Sequence, residues 1–222
     1  MVGKSLIHFM KKENINFISP NRKELDLKNF KKISNYFKKN KFDYVINCAA
    51  KVGGILENLN NQIIFYKENI EINNNLIKCA HEYKIKNFIN LGSSCMYPSN
   101  YDKKMNENKI MSGPLESTNL GYGIAKITSS IYLKLVREET GYNYCTIIPC
   151  NLYGPNDNFI KNKSHLIASI IKKVSEAKLY NKNYVKVWGD GKVKREFLYV
   201  DDLTIFITNL VKPKKILPAF MN

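Results

Sequence analysis

The chain has 222 residues, of which 44% are hydrophobic and 24% charged, as in an ordinary globular protein with its own core. It has no apolar run of about 18 residues and no signal-peptide pattern at its start, so we expect no membrane partner. The formal charge is +16, but the lysines are scattered and no DNA- or RNA-binding motif accompanies them, so we expect no nucleic acid partner.

Apolar runs of strand length alternate with segments of helix length along the chain. We predict, in chain order, a helix at 5–13, a strand at 15–19, a helix at 30–39, a strand at 44–50, a helix at 58–83, a strand in "NFINLGSS", a helix at 121–140 and a strand in "YCTIIP". Strands separated by helices predict an α/β fold with a parallel sheet and helices on both faces.

Three polar segments, "CAAKVGG", "GSSCMYP" and "PCNLYGP", each follow a predicted strand. Ligands bind beyond the carboxyl ends of the strands in such sheets, so all three should lie at the binding edge. From residue 164 the pattern is less regular, with a helix, a short strand "VKVW", a "GDG" turn and "REFLYVDDL". We therefore predict a first domain over 1–163 and the start of a small substrate-binding lobe over 164–222.

The cysteines, at positions 48, 79, 95, 145 and 150, form no pair of C-x-x-C motifs, so we expect no metal site. Their odd number and the absence of a secretion signal favour reduced thiols in the cytoplasm.

Tyr122 and Lys126 are four positions apart in "GYGIAKI", so a helix would place them on one face. An ammonium group beside the phenol would lower its pKa from about 10, and the tyrosine could exchange a proton with a sugar oxygen. Ser93 or Ser94, at the end of a strand, could bond a substrate carbonyl in the same crevice. Glycines at 121 and 123 should weaken this helix.

A serine at a strand end followed by Tyr-x-x-x-Lys on a helix resembles the extended, nucleotide-sugar branch of the short-chain dehydrogenase/reductase superfamily. The blocks "AAKVGGI", "LGSSCMYP", "PLESTNLGYGIAK", "NLYGPNDNF", "SHLI" and "VWGDGKVKREFLYVDD" together resemble the GDP-L-fucose synthase family. The resemblance implies a Rossmann-like doubly wound sheet. It also implies an enzyme that epimerises C3 and C5 of GDP-4-keto-6-deoxy-D-mannose and reduces C4 with NADPH, yielding GDP-L-fucose.

The same resemblance implies a role for each catalytic residue. Cys95 would remove a proton next to the ketone, which requires a thiolate. His165 would return a proton from the opposite face, since imidazole titrates near neutrality. Tyr122 would protonate the C4 oxygen, Lys126 would hold the nicotinamide ribose and bias the tyrosine, and Ser93 would orient the keto oxygen.

The cofactor implied by the resemblance is NADP(H). Arg22 would pair with its 2′-phosphate, Asp26 and Leu27 would lie near the adenine, and Gly3 matches the last glycine of the family's G-x-x-G-x-x-G loop. The other residues expected to line the cofactor are Leu91, Gly92, Ser93, Ser94, Lys126, Pro149, Cys150, Asn151, Leu152 and His165.

On the substrate side, Lys173, Trp188 and Arg195 match family residues that contact the GDP-sugar. Lys173 stands where the family commonly has arginine, so it keeps the charge but lacks a bidentate fork. The resemblance also implies a homodimer built on the two long helices.

Both ends of the chain match the family incompletely. Residues 1–3 match only the end of the glycine-rich loop and the first strand is apparently missing, so we expect weak or absent NADPH binding. After about residue 211 the chain no longer resembles the family, so we also expect an incomplete GDP site. Two alternatives stay open. One is another NAD(P)-dependent nucleotide-sugar epimerase or dehydratase, and the other is an inactive fragment that only binds or dimerises.

Overall fold

The computed structural model describes residues 1–100, 104–160, 163–212 and 215–222. Its helices are α1 (Val2–Lys12), α2 (Phe30–Lys39), α3 (Ile55–Asn60), α4 (Gln62–Glu82), α5 (Leu120–Thr140), α6 (Leu166–Leu179) and α7 (Val200–Val211). Its strands are β1 (Tyr44–Asn47), β2 (Asn87–Leu91), β3 (Asn143–Ile147), β4 (Asn151–Tyr153), β5 (Phe197–Tyr199) and β6 (Phe220–Met221). Within the described ranges, no helix combines the length and the apolar character needed to cross a membrane.

The main sheet has the strand order β1-β2-β3-β6, and every pair in it is parallel. Strands β4 and β5 form a separate parallel pair. Parallel neighbours require crossover connections, and α4 and α5 provide two of them. The predicted α/β fold with a parallel sheet is confirmed.

Successive residues of a strand point to opposite faces, and both faces of this sheet are covered. Phe88 and Tyr144 pack into a cluster with residues of α2, α4 and α5. Ile89 and Cys145 point the other way, into a cluster with residues of α1 and α7. Helices on both faces make this a doubly wound sheet, as predicted.

A buried asparagine network fixes the end of β1 and the loop after it. The Asn47 amide donates to Asn73 Oδ1 (2.8 Å) and to Asn90 Oδ1 (3.0 Å). The Asn69 side chain of α4 accepts from the Lys51 amide (2.9 Å) and donates to the Lys51 carbonyl (3.0 Å). Buried amides are stabilising only when they are paired, so this network specifies one conformation for the loop.

Two predicted strands are not formed. Residues 15–19 pair with none of the described strands. Ile15 and Phe17 pack beside α1 and α7 instead, and Ile18 is exposed. Residues 185–188 also lack a partner strand, and Val187 and Trp188 are 60% and 64% exposed. A strand exists through its hydrogen bonds to a neighbour, which an apolar run alone does not supply.

The predicted helix at 58–83 is two helices, α3 and α4, separated at Asn61. The Asn61 amide donates to the Glu57 carbonyl at 3.0 Å, the kind of local bond by which asparagine competes with helical continuation. Helix α1 begins three residues before the predicted start, while α2 occupies the predicted range.

The C-terminal part of the chain returns to the main sheet. Helix α7 packs on α1, Leu203 and Ile207 lie in the cluster of Leu6 and Ile147, and β6 pairs with β3. This part of 164–222 therefore does not belong to the small lobe that the sequence predicts. The reason is the apolar face of α7, which is buried against α1 and the main sheet.

Candidate active site

The loops after β1, β2 and β3 lie at one edge of the sheet, because parallel strands end at the same side. Gly92 follows β2 directly, and its amide donates to the Ile147 carbonyl at 2.7 Å. A Cβ on Gly92 would lie 2.9 Å from Thr146 Cγ2, so only glycine allows the turn after β2 to lie this close to β3.

Ser93 begins a single turn of 3₁₀ helix, Ser94–Met96, and its hydroxyl accepts a hydrogen bond from the Cys95 amide at 3.3 Å. The turn points Cys95 toward the start of α5. There the Asn119 side-chain amide donates to Cys95 Sγ at 3.0 Å. Burial raises the pKa of the Cys95 thiol, and the hydrogen bonds from Ser93 and Asn119, with the charge of Lys126, oppose the rise.

Lys126 is buried, with 3% of its surface exposed, and its ammonium donates to the Leu91 carbonyl at 2.6 Å. Burial lowers the pKa of Lys126 to about 8, and the nearby thiols of Cys48 and Cys95 oppose this. The side chain is thus held under the end of β2 by a backbone group.

Tyr122 lies one turn before Lys126, whose Nζ is 5.6 Å from the centre of the phenol ring. The predicted lowering of the tyrosine pKa is wrong for this structure. Burial and the thiol of Cys95 raise the pKa of Tyr122, and only a hydrogen bond with Ser93 opposes the rise. The Lys126 ammonium, which bonds the Leu91 carbonyl, does not reverse this shift.

The structure therefore brings together four of the predicted catalytic residues and one that the sequence analysis missed. We call this group the Cys95 cluster; its members are Ser93, Cys95, Asn119, Tyr122 and Lys126. Asn119 stands just before a helix, where asparagine is ordinarily a cap, so the sequence carries no separate signal for its contact with the thiol.

His165 stands at the N-cap position of α6, makes no side-chain cap hydrogen bond and is exposed. In the described residues, no hydrogen bond links its ring to the Cys95 cluster. Its loop is instead held by the loop after β1, because the Gly54 amide donates to the Lys163 carbonyl at 3.1 Å. A Cβ on Gly54 would lie 2.6 Å from the Ser164 carbonyl oxygen, so this approach requires glycine.

A cavity of about 520 Å³ lies beside β1, and Gly3, Arg22, Asp26 and Leu27 all line it. Cys48, directly after β1, also lines it, and burial raises the pKa of its thiol to about 12, while the charge of Lys126 opposes the rise. The three residues expected at the adenosine end, Arg22, Asp26 and Leu27, therefore line one cavity together with Gly3 of the glycine-rich loop.

The other residues expected at the cofactor follow two strand ends. Leu91, Gly92, Ser93 and Ser94 form the end of β2 and the turn after it. Pro149 and Cys150 connect β3 to β4, and Asn151 and Leu152 lie in β4. Asn151 and Leu152 pair with Phe197 and Leu198 of β5, which joins this edge to the C-terminal segment.

Two of the three predicted substrate residues lie together. The Lys173 ammonium is 5.6 Å from the centre of the Trp188 ring and donates to the Lys186 carbonyl at 2.8 Å. Arg195 is exposed and donates only to the neighbouring Lys194 carbonyl at 2.9 Å. Nothing in the described part of the chain joins Arg195 to the other two.

Across the ranges that the structure describes, no three His, Cys, Asp or Glu side chains are grouped so as to hold a metal ion. The site is instead a serine turn after a central strand, facing a tyrosine and a lysine one helical turn apart, at the carboxyl edge of a doubly wound sheet. These features define a protein of the extended short-chain dehydrogenase/reductase class.

Comparison with known proteins agrees, and the chain belongs to the NAD dependent epimerase/dehydratase family, which matches residues 1–215. GDP-L-colitose synthase of Yersinia pseudotuberculosis is 45% identical over 208 residues, covering 93% of this chain and 68% of that protein. GDP-L-fucose synthase of Escherichia coli (strain K12) is 36% identical over 204 residues, covering 91% of this chain and 64% of that protein.

Among solved structures, a GDP-L-fucose synthetase from Naegleria fowleri bound to NADP superposes with a TM-score of 0.84 at 29% identity. It covers 95% of this chain, which spans 69% of that protein. The resemblance to the GDP-L-fucose synthase family, the fold class and the class of enzyme are confirmed. The chemical roles of individual residues stay predictions.

Proposed function

We propose that the protein is an NADPH-dependent epimerase/reductase that converts GDP-4-keto-6-deoxy-D-mannose to GDP-L-fucose. The observation that carries the proposal is the Cys95 cluster, in which a thiol, a phenol and an ammonium group converge at the end of β2. Epimerisation of a 4-keto sugar requires a base that removes a proton from the carbon beside the ketone. Reduction requires an acid that protonates the ketone oxygen.

In the epimerisation, the Cys95 thiolate removes a proton from the carbon beside the ketone. His165 returns a proton to the opposite face of that carbon, which inverts its configuration. Ser93 donates a hydrogen bond to the keto oxygen, where negative charge develops. The Gly54 loop, which holds the carbonyls at 163 and 164, sets the position of His165.

In the reduction, NADPH when bound would supply the hydride that reduces C4. Tyr122 gives its phenolic proton to the C4 oxygen, so the ketone becomes an alcohol, and solvent reprotonates the phenolate. The raised pKa of Tyr122 suits this role, because the tyrosine stays protonated until negative charge develops on the substrate oxygen.

The residues beside β1 fit the cofactor. The cavity of about 520 Å³ has apolar walls for an adenine, and Arg22 offers a guanidinium group for a 2′-phosphate. Lys126, at the end of β2, would hold the nicotinamide ribose. The preference for NADPH over NADH is tested by titrating each nucleotide into the wild type and into Arg22→Ala. The preference should disappear in the variant.

Turnover tests the proposed reaction. The chain, NADPH and GDP-4-keto-6-deoxy-D-mannose are incubated in D₂O, and NMR follows deuterium at C3 and C5 and the appearance of GDP-L-fucose. Cys95→Ala should abolish deuterium incorporation. Cys79→Ala, which removes a buried core thiol, is the matched control and should retain it. Wild-type chain that neither exchanges nor reduces this substrate contradicts the proposal.

GDP-L-colitose is a second candidate product. It is favoured by the 45% identity to the Yersinia enzyme of that name, against 36% to the Escherichia coli fucose synthase. A parallel assay with the 4-keto precursor of GDP-L-colitose distinguishes the two, because the preferred substrate has the higher kcat/KM.

We further propose that the protein is a cytoplasmic homodimer. All five cysteines are free thiols, as in a reducing compartment. Helices α4 and α5 pack against each other and leave large apolar side chains exposed, namely Ile63, Ile64, Tyr66, Leu120, Ile124 and Leu135. A second copy would cover them. Sedimentation should give a dimer for the wild type and a monomer for Ile63→Glu.

A further inference from the structure

Asn119 stands at the position that caps α5, but its side chain makes no cap hydrogen bond. Asparagine at this position ordinarily accepts from a backbone amide of the first turn. Here the side chain turns instead toward the preceding strand end, and its amide group donates to Cys95 Sγ at 3.0 Å. Its Oδ1 is buried and has no partner in the described part of the chain.

The cap that Asn119 does not make is supplied from α4. Gln62 Oε1 accepts from the Gly121 amide in the first turn of α5 (3.1 Å), and Gln62 Nε2 donates to the Ser117 carbonyl (2.8 Å). The two bonds flank Asn119 on either side. The glycines that the sequence analysis counted as weakening the helix allow this approach. A Cβ on Gly121 would lie 2.5 Å from the Gln62 carbonyl oxygen, and one on Gly123 would lie 2.9 Å from that of Cys95.

We infer that Asn119 is a positioning residue for Cys95, which orients the thiol and stabilises its thiolate, and that Gln62 frees Asn119 for this contact by capping α5. The inference rests on the proposed function, in which Cys95 acts as the base. It deepens that function because it names the group that favours the thiolate in a buried site.

The charges around the thiol explain why a neutral donor is suited to this position. Burial disfavours the thiolate, while Lys126 on α5 and the hydroxyl of Ser93 favour it. The thiolate in turn raises the pKa of Tyr122, which must stay protonated for the reduction. An amide stabilises the thiolate without adding a positive charge that would also ionise the phenol.

The test is the pH profile of alkylation at Cys95, measured on the whole chain with iodoacetamide and mass spectrometry. Only the thiolate reacts, so the midpoint of the profile reports the thiol pKa. Asn119→Ala should move the Cys95 midpoint up by about one pH unit, which slows alkylation about tenfold below the midpoint. Asn119→Asp, nearly the same shape, should move it further because a carboxylate repels the thiolate.

Two controls are in the chain itself. The pH profile of alkylation at Cys150 reports any general loosening of the structure, and we expect it to stay unchanged in the variants. Thr118→Val changes the same turn, where its hydroxyl donates to Glu116 at 3.3 Å, and should leave the Cys95 profile unchanged. In thermal unfolding, Gln62→Ala should lower the melting temperature more than Asn119→Ala, since Gln62 makes the cap.

Cys95 profiles of Asn119→Ala and Asn119→Asp that coincide with the wild type overturn the inference. An equal shift of the alkylation midpoint at Cys150 in these variants also overturns it. The measurement needs no sugar substrate. If the wild type fails to turn over the GDP-sugar, the proposed function falls while the thiol profile still decides the role of Asn119.

Discussion

The two halves of the site differ in what holds their side chains. In the Cys95 cluster, Lys126 is buried and bonded to the Leu91 carbonyl, and Cys95 is bonded by Asn119. In the substrate segment, residues 181–196, the structure has no helix or strand, and Trp188 is 64% exposed. Proton transfer needs geometry that is set before the substrate arrives, whereas binding contacts can form as the substrate arrives.

The largest effect that this comparison predicts is on the reduction. Tyr122→Phe should lower NADPH oxidation about 10²- to 10⁴-fold, because it removes the proton donor to C4, while deuterium exchange at C3 and C5 continues. The control is Tyr180→Phe, an exposed tyrosine directly after α6, which should retain full activity. Near wild-type reduction by Tyr122→Phe would assign the proton to another group.

The burial of Lys126 should make the unfolding free energy depend on pH. The pKa of Lys126 is lowered from 10.5 to about 8, so between these values the unfolded chain binds a proton that the folded chain has released. The unfolding free energy of the wild type should therefore rise with pH relative to Lys126→Met, by about 3 kcal/mol across this range. Urea unfolding at several pH values measures it.

Lys134→Met, on the same helix, is the matched control for Lys126→Met. Lys134 is exposed and pairs with Glu138 at 3.6 Å. Its removal should leave the pH dependence of unfolding unchanged across this range, because its side chain is in contact with water in both the folded and the unfolded chain. Parallel curves for the wild type and Lys126→Met would show that the lysine is not desolvated.

A smaller loss is expected where the loop after β1 meets the loop of His165. Gly54→Ala places a Cβ against the Ser164 carbonyl, so backbone must move, at a cost of about 1–3 kcal/mol. We also expect slower deuterium exchange, since His165 moves with its loop. Gly53→Ala meets first the flexible end of Glu57 and should cost less in both measurements. Equal effects of Gly54→Ala and Gly53→Ala on deuterium exchange would show that this contact does not set the position of His165.

The smallest effects on stability belong to the exposed half of the site. Trp188→Ala and Lys173→Ala should change the unfolding free energy by less than about 0.5 kcal/mol, yet weaken GDP-sugar binding in calorimetry. Tyr184→Ala, 78% exposed in the same segment, should change neither. A large loss of stability in Trp188→Ala would mean that the segment is held by packing after all.

Local patterns predicted the elements that depend on near neighbours. Helix α2 occupies its predicted range because an apolar stripe with Ile33 and Phe37 follows the cap residue Asn29. The strand at 15–19 was wrong because a strand needs a partner from elsewhere in the chain. The placement of α7 and β6 on the main sheet was missed for the same reason.

By itself, the sequence determined the doubly wound class, because strands alternate with helices, and it placed Ser93, Tyr122 and Lys126 at one site through a strand end and a helical spacing. Cys95 was predicted from the resemblance to the GDP-L-fucose synthase family. Only the tertiary structure decided three further features. They are the bond from Lys126 to the Leu91 carbonyl, the raised pKa of Tyr122 and the turn of Asn119 toward Cys95. The physical reason is that burial and hydrogen-bond partners come from residues distant in the chain, which no local pattern contains.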